Sequence, residues 1–444
     1  MSRAFSLPRI GLALLGSTAL VLSACTEPEV ILPGDREAIL PASEAQIAAA
    51  ARGNEIRPIS LPGQKDNSAW TQGQGSPTYR VGNAALAAAP QLAWTAPIGE
   101  GNSLRQRITA APVVANGMIY TLDSSATVTA VTQTGTVAWS VDLIPASDKD
   151  GQATGGGLAY HDGSIYVSSG YGRLTALNAT TGDLRWQQKL DATGSGQPTV
   201  YDGLVYLVAG DDTGWAVKAS DGRIAWQISA TPSVANVLGA PAPAVNQELA
   251  IFAFGSGDLM ASFRKGGLRR WFASVAGQRK GRARSMIMDV TGSPVIDGSR
   301  VYAGNQSGRT VAYDLESGER IWTTDEGALG PVVPAGGSLF LISDENRLTR
   351  LDARDGSTIW TAQLNNDLRD TSRKRGPSYA NYGPILAGGR IVVASTDGHV
   401  NFFDPRDGSW LSALSVPEGA ASAPVVAGRT LYVVSTKGTL YAFR

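Results

Sequence analysis

Runs of four to six β-branched or aromatic residues, bounded by Gly, Pro, Asn or Asp, recur from about residue 110 to the C-terminus. Such runs read as strands, because branched and aromatic side chains suit a pleated, half-buried surface. The last repeat reads Ala423-Pro424-Val425-Val426, then Leu431-Tyr432-Val433 after Gly428, then Leu440-Tyr441-Ala442-Phe443 after Gly438. The first reads Ala111-Pro112-Val113-Val114, then Ile119-Tyr120 after Gly117, then Val128-Thr129-Ala130-Val131. Turns such as Asn116-Gly117, Asp162-Gly163, Asp202-Gly203 and Asp297-Gly298 join the runs, with residue types that tolerate the positive φ of tight hairpins. A sustained 3.6-residue apolar period occurs only in the N-terminal leader, so the pattern predicts an all-β chain.

The strands fall into groups of four, each closed by a tryptophan: Trp139, Trp186, Trp226, Trp271, Trp322, Trp360 and Trp410, with Trp94 alone ahead of the series. Several stand in Gly-x-x-x-Trp phrases that open at Gly135, Gly182, Gly222 and Gly318. The steps from Trp94 onward are 45, 47, 40, 45, 51, 38 and 50 residues, the period of a propeller blade. Further copies start near Gly157, Pro198, Pro243, Pro294, Pro331 and Pro384, which makes eight with the first and last. The sequence ends at Arg444, after the third strand of the eighth repeat, while Gln91-Leu92-Ala93-Trp94 is a fourth strand without its first three. Pairing the two would close the ring and remove its exposed edges. The expected fold is an eight-bladed β-propeller closed by an N-terminal strand on the C-terminal blade.

Composition agrees with a tightly turned sheet protein: charged residues are 17% of the 444, and 52 are glycine. Lys plus Arg and Asp plus Glu both number 38, so no net field draws the chain to nucleic acid. At the N-terminus, Arg3 and Arg9 precede an apolar stretch from Ile10 to Leu22 that is short for a membrane span. It ends Leu22-Ser23-Ala24-Cys25, which resembles the bacterial lipobox, and Cys25 is the one cysteine, so no internal disulfide is open to it. Residues 1–24 are read as a lipoprotein signal peptide and 25–69, rich in Pro, Ala, Glu and Asp, as a flexible periplasmic tether. Residues 70–444 are read as the propeller. Thr26 rather than Asp after the cysteine implies, by the same resemblance, export to the outer membrane. Stable anchoring there takes more than one acyl chain.

Phrases such as Asp314-Leu315-Glu316-Ser317-Gly318 and Asp352-Ala353-Arg354-Asp355-Gly356 resemble the repeat of pyrroloquinoline-quinone-type propellers. With the lipobox and the tether, nearly the whole chain resembles the BamB family, lipoproteins of the outer-membrane β-barrel assembly (BAM) machinery. Asn67-Ser68-Ala69-Trp70-Thr71-Gln72 is similar to a lead-in of proteobacterial members and is expected to pack Trp70 against the disc. The resemblance implies a non-enzymatic scaffold, lipid-anchored to the outer membrane through Cys25 and facing the periplasm, that assists folding and insertion of β-barrel proteins. Its implied partners are a POTRA domain of BamA and the other BAM subunits. No cofactor, metal, nucleic acid or small-molecule substrate is implied.

Quinoprotein dehydrogenases share the fold and the period, which makes a PQQ-dependent periplasmic enzyme the alternative. That resemblance implies a quinone and Ca²⁺ at the ring centre, with a catalytic Asp and often paired cysteines. Ca²⁺ takes several converging oxygen ligands. The sequence has no second cysteine and no inserted carboxylate cluster, and its inner strands start Ala-Pro, Gly-Gln-Pro, Gly-Ser-Pro and Gly-Pro, small and chemically mute. His161 and His399 fall in Tyr160-His161-Asp162-Gly163 and Asp397-Gly398-His399, which read as solvated turns rather than catalytic or metal-binding positions. Gly155-Gly156-Gly157 and Gly255-Ser256-Gly257 lead into no helix and make weak phosphate cradles. No catalytic residue is expected.

Links from each outer strand to the next inner strand share a face with the second-to-third turns. They are unequal: 8 residues separate Trp322 from Pro331, 22 separate Trp271 from Pro294, and 23 separate Trp360 from Pro384. The two long links carry Arg279, Lys280, Arg282 and Arg284, and Arg369, Arg373, Lys374 and Arg375, which concentrates basic groups on one face. The family resemblance places the partner site on loops leading into consecutive blades. Its first matching segment is 232–239, where Val237 and Leu238 keep the apolar character of the family's Leu-x-Leu-Arg core but no Arg follows. Its second, Met286-Ile287-Met288-Asp289-Val290-Thr291, keeps Asp289 of an Asp-Val-Asp phrase and has Thr291 in place of the second carboxylate. Val237, Leu238, Met286, Met288, Asp289, Arg282 and Arg284 are the expected partner-binding set. The Met286-Ile287-Met288 run reads equally as a partner anchor or as a strand entering the fifth blade. The 369–375 cluster reads as a contact for anionic lipid or another partner, or as a solvated loop.

Overall fold

Each repeat folds into four antiparallel strands, and together they make eight four-stranded sheets. In this computed structural model, residues 54–192, 196–231, 240–275, 277, 289–365 and 379–444 are described. The chain divides into Met1–Ala51 and Arg52–Arg444, and the described residues all belong to the second unit. Blade I spans 113–142, II 156–189, III 199–229, IV 244–274, V 295–324, VI 333–363 and VII 381–415. Blade VIII joins Val425–Ala427, Thr430–Val434 and Thr439–Phe443 to the distant strand Leu92–Pro97. Leu92 pairs with Phe443 and Pro97 with Thr439, so the expected closure is present. Closure gives blade VIII its fourth strand, so Thr439–Phe443 offers no unpaired edge to template association.

Burial follows position within the blade. The second strand of blade II, Ser164–Ser169, is buried throughout, because its two sides face the neighbouring blades. The outer strand Leu184–Lys189 alternates half-buried and exposed positions, as a solvated rim requires.

A one-residue bulge precedes the outer-strand tryptophan in every blade but VII, as between Ala176 and Leu177 opposite Trp186. It aims the indole into the next blade. Trp186 Nε1 donates to Ala219 O of blade III at 2.9 Å, and its ring lies 5.8 Å from that of Tyr166 in its own blade. The same step joins Trp94 to Gln133 O, Trp139 to Ala179 O, Trp226 to Arg264 O, Trp271 to Leu315 O, Trp322 to Ala353 O and Trp360 to Pro405 O. Each indole rests on the glycine of the turn it reaches. At Gly222 φ is +75° and a Cβ would stand 2.6 Å from the Trp186 ring, so glycine is required twice over. The glycine of a Gly-x-x-x-Trp phrase therefore serves the tryptophan of the preceding blade, not its own. Trp410 is the exception: it is 60% exposed, and its Nε1 donates to Asn401 of its own blade. Although the sequence period places it with the others, the bulge of its strand follows it, at Leu411, so Ser412, opposite Phe402, stands where the other blades hold their indole.

Strand direction fixes two faces. The links and second-to-third turns form one, the link face; the first-to-second and third-to-fourth turns form the other, the hairpin face. Residues 54–69, expected in the flexible tether, are bound on the hairpin face, which moves that boundary towards the N-terminus. Glu55 N donates to Ile359 O at 2.9 Å, and Arg57 pairs with Asp352 at 2.8 Å. The cause is a buried cation. Arg350, 1% exposed, donates to Arg57 O, Pro58 O, Arg406 O and Ser338 Oγ, so the N-terminal backbone supplies acceptors that the blades lack. Trp70 packs against the ring as expected, 4% exposed, with its N–H and C=O paired to Val114 at 2.8 Å.

Candidate functional site

Between Lys65 and Ala84 the chain crosses the hairpin-face end of the central channel and meets the ends of the inner strands in turn. Gly428 N of blade VIII donates to Asn67 O at 2.7 Å, Trp70 pairs with Val114 of blade I, and Tyr160 N of blade II donates to Thr71 O at 2.6 Å. Val200 N of blade III donates to Gln72 Oε1 at 2.8 Å. Val245 N of blade IV and Ile296 N of blade V donate to Pro77 O and Thr78 O at 2.7 and 2.9 Å, and Gly388 N of blade VII donates to Ala84 O at 2.8 Å. Inner strands have no neighbour on their channel side, so their free N–H groups need these acceptors. The segment is irregular at its centre, with one 3-10 turn at Gly73–Gly75 and φ +55° at Gln74. A Cβ at Gly73 would collide with the Tyr79 hydroxyl, which locks the turn against Tyr79.

The plug leaves a channel open at one end. Above it lies a throat of about 220 Å³, floored by Trp70, Gln74 and Tyr79 and walled by the starts of the inner strands. It widens into a vestibule of about 510 Å³ on the link face, and Thr109, Ala240, Pro241, Thr291, Leu329 and Tyr382 line both. Among the described residues the throat has no charged side chain in its lining, whereas the vestibule has Arg107, Asp212 and Asp289. Burial pushes the Tyr79 and Tyr382 hydroxyls above the ordinary tyrosine range, so both are neutral at physiological pH. The inner-strand starts, read from the sequence as chemically mute, are polar in part: Gln197, Ser293 and Ser422 line the throat. Single polar residues beside a proline carry no periodic signal, and only the closed ring brings them together.

A quinone with Ca²⁺ asks for converging carboxylates around the metal and for cations beside the quinone's own carboxylates. Among the described residues no three of His, Cys, Asp or Glu come together, and the throat offers neither sign of charge. These residues do not fit that group. His399 Nδ1 lies 3.3 Å from Asp397, its side chain 52% exposed, and His161 is exposed on the hairpin face beside a groove with Asp162, Asp202 and Arg264.

Of the expected partner-binding set, Asp289 is the described member. It lies on the link face at the vestibule, 4% exposed, followed by Val290, which bridges to Asn305, and by Thr291, whose Oγ1 donates to Ala328 O at 2.7 Å. Val237, Leu238, Arg282, Arg284, Met286 and Met288 lie outside the described residues, as do Cys25 and the 369–375 cluster.

The family described as outer membrane protein assembly factor BamB matches residues 124–362 and 365–444. The chain is 26% identical over 367 residues to outer membrane protein assembly factor BamB of Yersinia pestis, covering 80% of this chain and 88% of that one. In structure it is similar to BamB from Moraxella catarrhalis, with a TM-score of 0.63 at 17% identity over 78% of this chain and 99% of that one. It is also similar to quinohemoprotein alcohol dehydrogenase from Comamonas testosteroni, with a TM-score of 0.63 at 15% identity over 85% of this chain and 80% of the enzyme. At such identities the solved structures share the fold alone, and the repeats decide between the two. With both stretches of its repeats matched, this chain belongs to the BamB family of outer membrane protein assembly factors.

Proposed function

We propose that this protein is a non-catalytic scaffold of the outer-membrane β-barrel assembly machinery, docking through its link face onto a POTRA domain of BamA. The observation that carries this reading, beside family membership, is the unequal use of the two faces. The hairpin-face end of the channel is occupied by the chain's own residues between Lys65 and Ala84. On the link face stand Asp289, at the vestibule, and the described strand ends between which the long basic links of the sequence run. Relatives bearing the assembly-factor name include the Yersinia pestis protein. The same proposal includes residues 1–24 as a signal peptide, Cys25 as a lipid anchor in the outer membrane, and the residues between Cys25 and Asn54 as the tether. The quinoprotein alternative has the fold in its favour, but a throat with no charge among the described residues does not suit its anionic cofactor.

Replacing Val237, Leu238 and Asp289 together with Ala should abolish co-purification with BamA while the thermal unfolding midpoint of the disc stays unchanged. Undiminished co-purification would refute this site. Dye-linked alcohol oxidation after loading with the quinone and Ca²⁺ would refute the scaffold reading itself.

A further inference from the structure

We infer that the outer hairpin of blade IV, residues 263–274, is a docking surface for an anionic lipid bilayer. This inference rests on that hairpin alone, not on the BamA docking proposal or on acylation of Cys25. Lys265, Leu268, Arg269, Arg270 and Phe272 are all exposed there, Leu268 to 71% and Phe272 to 50%. Five other blades set a carboxylate in the same hairpin, at Asp183, Asp221, Glu319, Asp355 and Asp407, whereas residues 263–274 hold none. After the outer-strand tryptophan, blades I, II, III, V, VI and VIII carry Ser, Thr or Gln, where blade IV carries Phe272. Blade IV thus departs from the repeat in both charge and polarity at one place on the rim.

Its exposed cations are not spent on the protein's own carboxylates. Arg264 is buried and pairs with Asp202 at 2.8 Å, but among the described residues Lys265, Arg269 and Arg270 form no ion pair. Arg270 Nε donates to the backbone Glu316 O at 3.1 Å and pairs with neither Glu316 nor Glu319 of that turn. The adjoining sequence does not neutralise them either: between Asp258 and Asp289 there is no Asp or Glu, against eight Lys and Arg. Unpaired cations beside exposed Leu and Phe suit a bilayer interface, where lipid phosphates meet the cations and the acyl boundary takes the apolar side chains. An acidic protein fits less well. The groove beside this hairpin on the hairpin face is lined by Asp162, Asp202 and Glu248, which would repel an acidic partner wrapping over from the rim. A flat bilayer touches the rim without entering the groove.

The test is vesicle flotation of the chain from Thr26 onward, which retains every described residue and lacks Cys25. The vesicles are phosphatidylglycerol and phosphatidylcholine in equal parts, with phosphatidylcholine alone as the control. The expected result is flotation with the anionic vesicles, weakened by salt, and none with the neutral ones. Lys265→Gln with Arg269→Gln should weaken binding about 25-fold, roughly fivefold for each cation. Phe272→Thr, which places there the residue type of blades V and VI, should weaken it about tenfold. Because this chain has no cysteine, an environment-sensitive dye on Phe272→Cys reports insertion by a blue shift with anionic vesicles. The same dye on Thr95→Cys, at the matching place in blade VIII across the ring, should not shift. The inference is overturned by absence of flotation, by equal flotation of the folded variants, by equal flotation with neutral vesicles, or by a shift at both labels. Loss of BamA co-purification in the cation variant, with no flotation of the parent chain, would overturn it in favour of a protein interface.

Discussion

The tryptophans are legible in the sequence as a period, but their role is legible only in the ring. Gly-x-x-x-Trp looks like a local phrase, yet its two ends belong to different contacts: Gly222 receives Trp186, while Trp226 reaches on to Arg264 O. Spacing along the chain holds no information about which neighbour an indole meets. Gly222→Ala should therefore destabilise through both positive φ and collision with the ring, by roughly 2–4 kcal/mol in urea unfolding. Trp360→Ala, at a fully buried ring, should cost about 3–5 kcal/mol, and Trp410→Ala, at an exposed one, well under about 1 kcal/mol. Equal costs at the two positions would contradict the packing scheme. A second residue-scale prediction concerns acid. The hydrogen bond from Arg354 above all, with Arg57 contributing, holds the Asp352 carboxyl at about 2, below its ordinary 3.8. A depressed carboxylate stabilises the fold fully above its unfolded pKa, and that contribution is lost as pH falls through its folded one. Asp352→Asn should lower stability at neutral pH and flatten the loss between about pH 4 and pH 2, followed by thermal unfolding across that range.

Among the elements, the strands announce themselves by alternation and by hairpin turns, while the 54–90 segment does not. Its backbone is irregular and its partners lie far away in sequence, as Arg350 with Arg57 and Ala84 N with Leu386 O illustrate. From residue types alone it reads as tether up to Trp70. Only the unmet donors of the inner strands and the buried Arg350 explain why it is held. Two shortened chains separate its roles. A chain starting at Gln91 keeps the closing strand and loses the plug, so it should remain a folded monomer with a lower unfolding midpoint. A chain starting at Ile98 also loses the pairing of Leu92–Pro97 with Thr439–Phe443, exposing an edge that should associate in light scattering. A stable monomer from the second chain would contradict the role given to ring closure.

On the scale of the whole molecule, the two faces differ in what occupies them. One end of the channel is covered by residues between Lys65 and Ala84; the other opens through a charged vestibule to a throat without charge among the described residues. The sequence makes the link face visible through uneven blade spacing and clustered basic residues, and it points to Asp289. It does not reveal the throat, because Gln74, Gln197 and Ser422 come from separate parts of the chain and share no motif. The most direct measurement of the central claim is hydrogen–deuterium exchange on the disc with and without the periplasmic domains of BamA. Docking through the link face predicts slowed exchange in the links at 230–243 and 275–294 and unchanged exchange across the plug and the hairpin turns. Protection confined to the hairpin face, or none at saturating BamA, would contradict it.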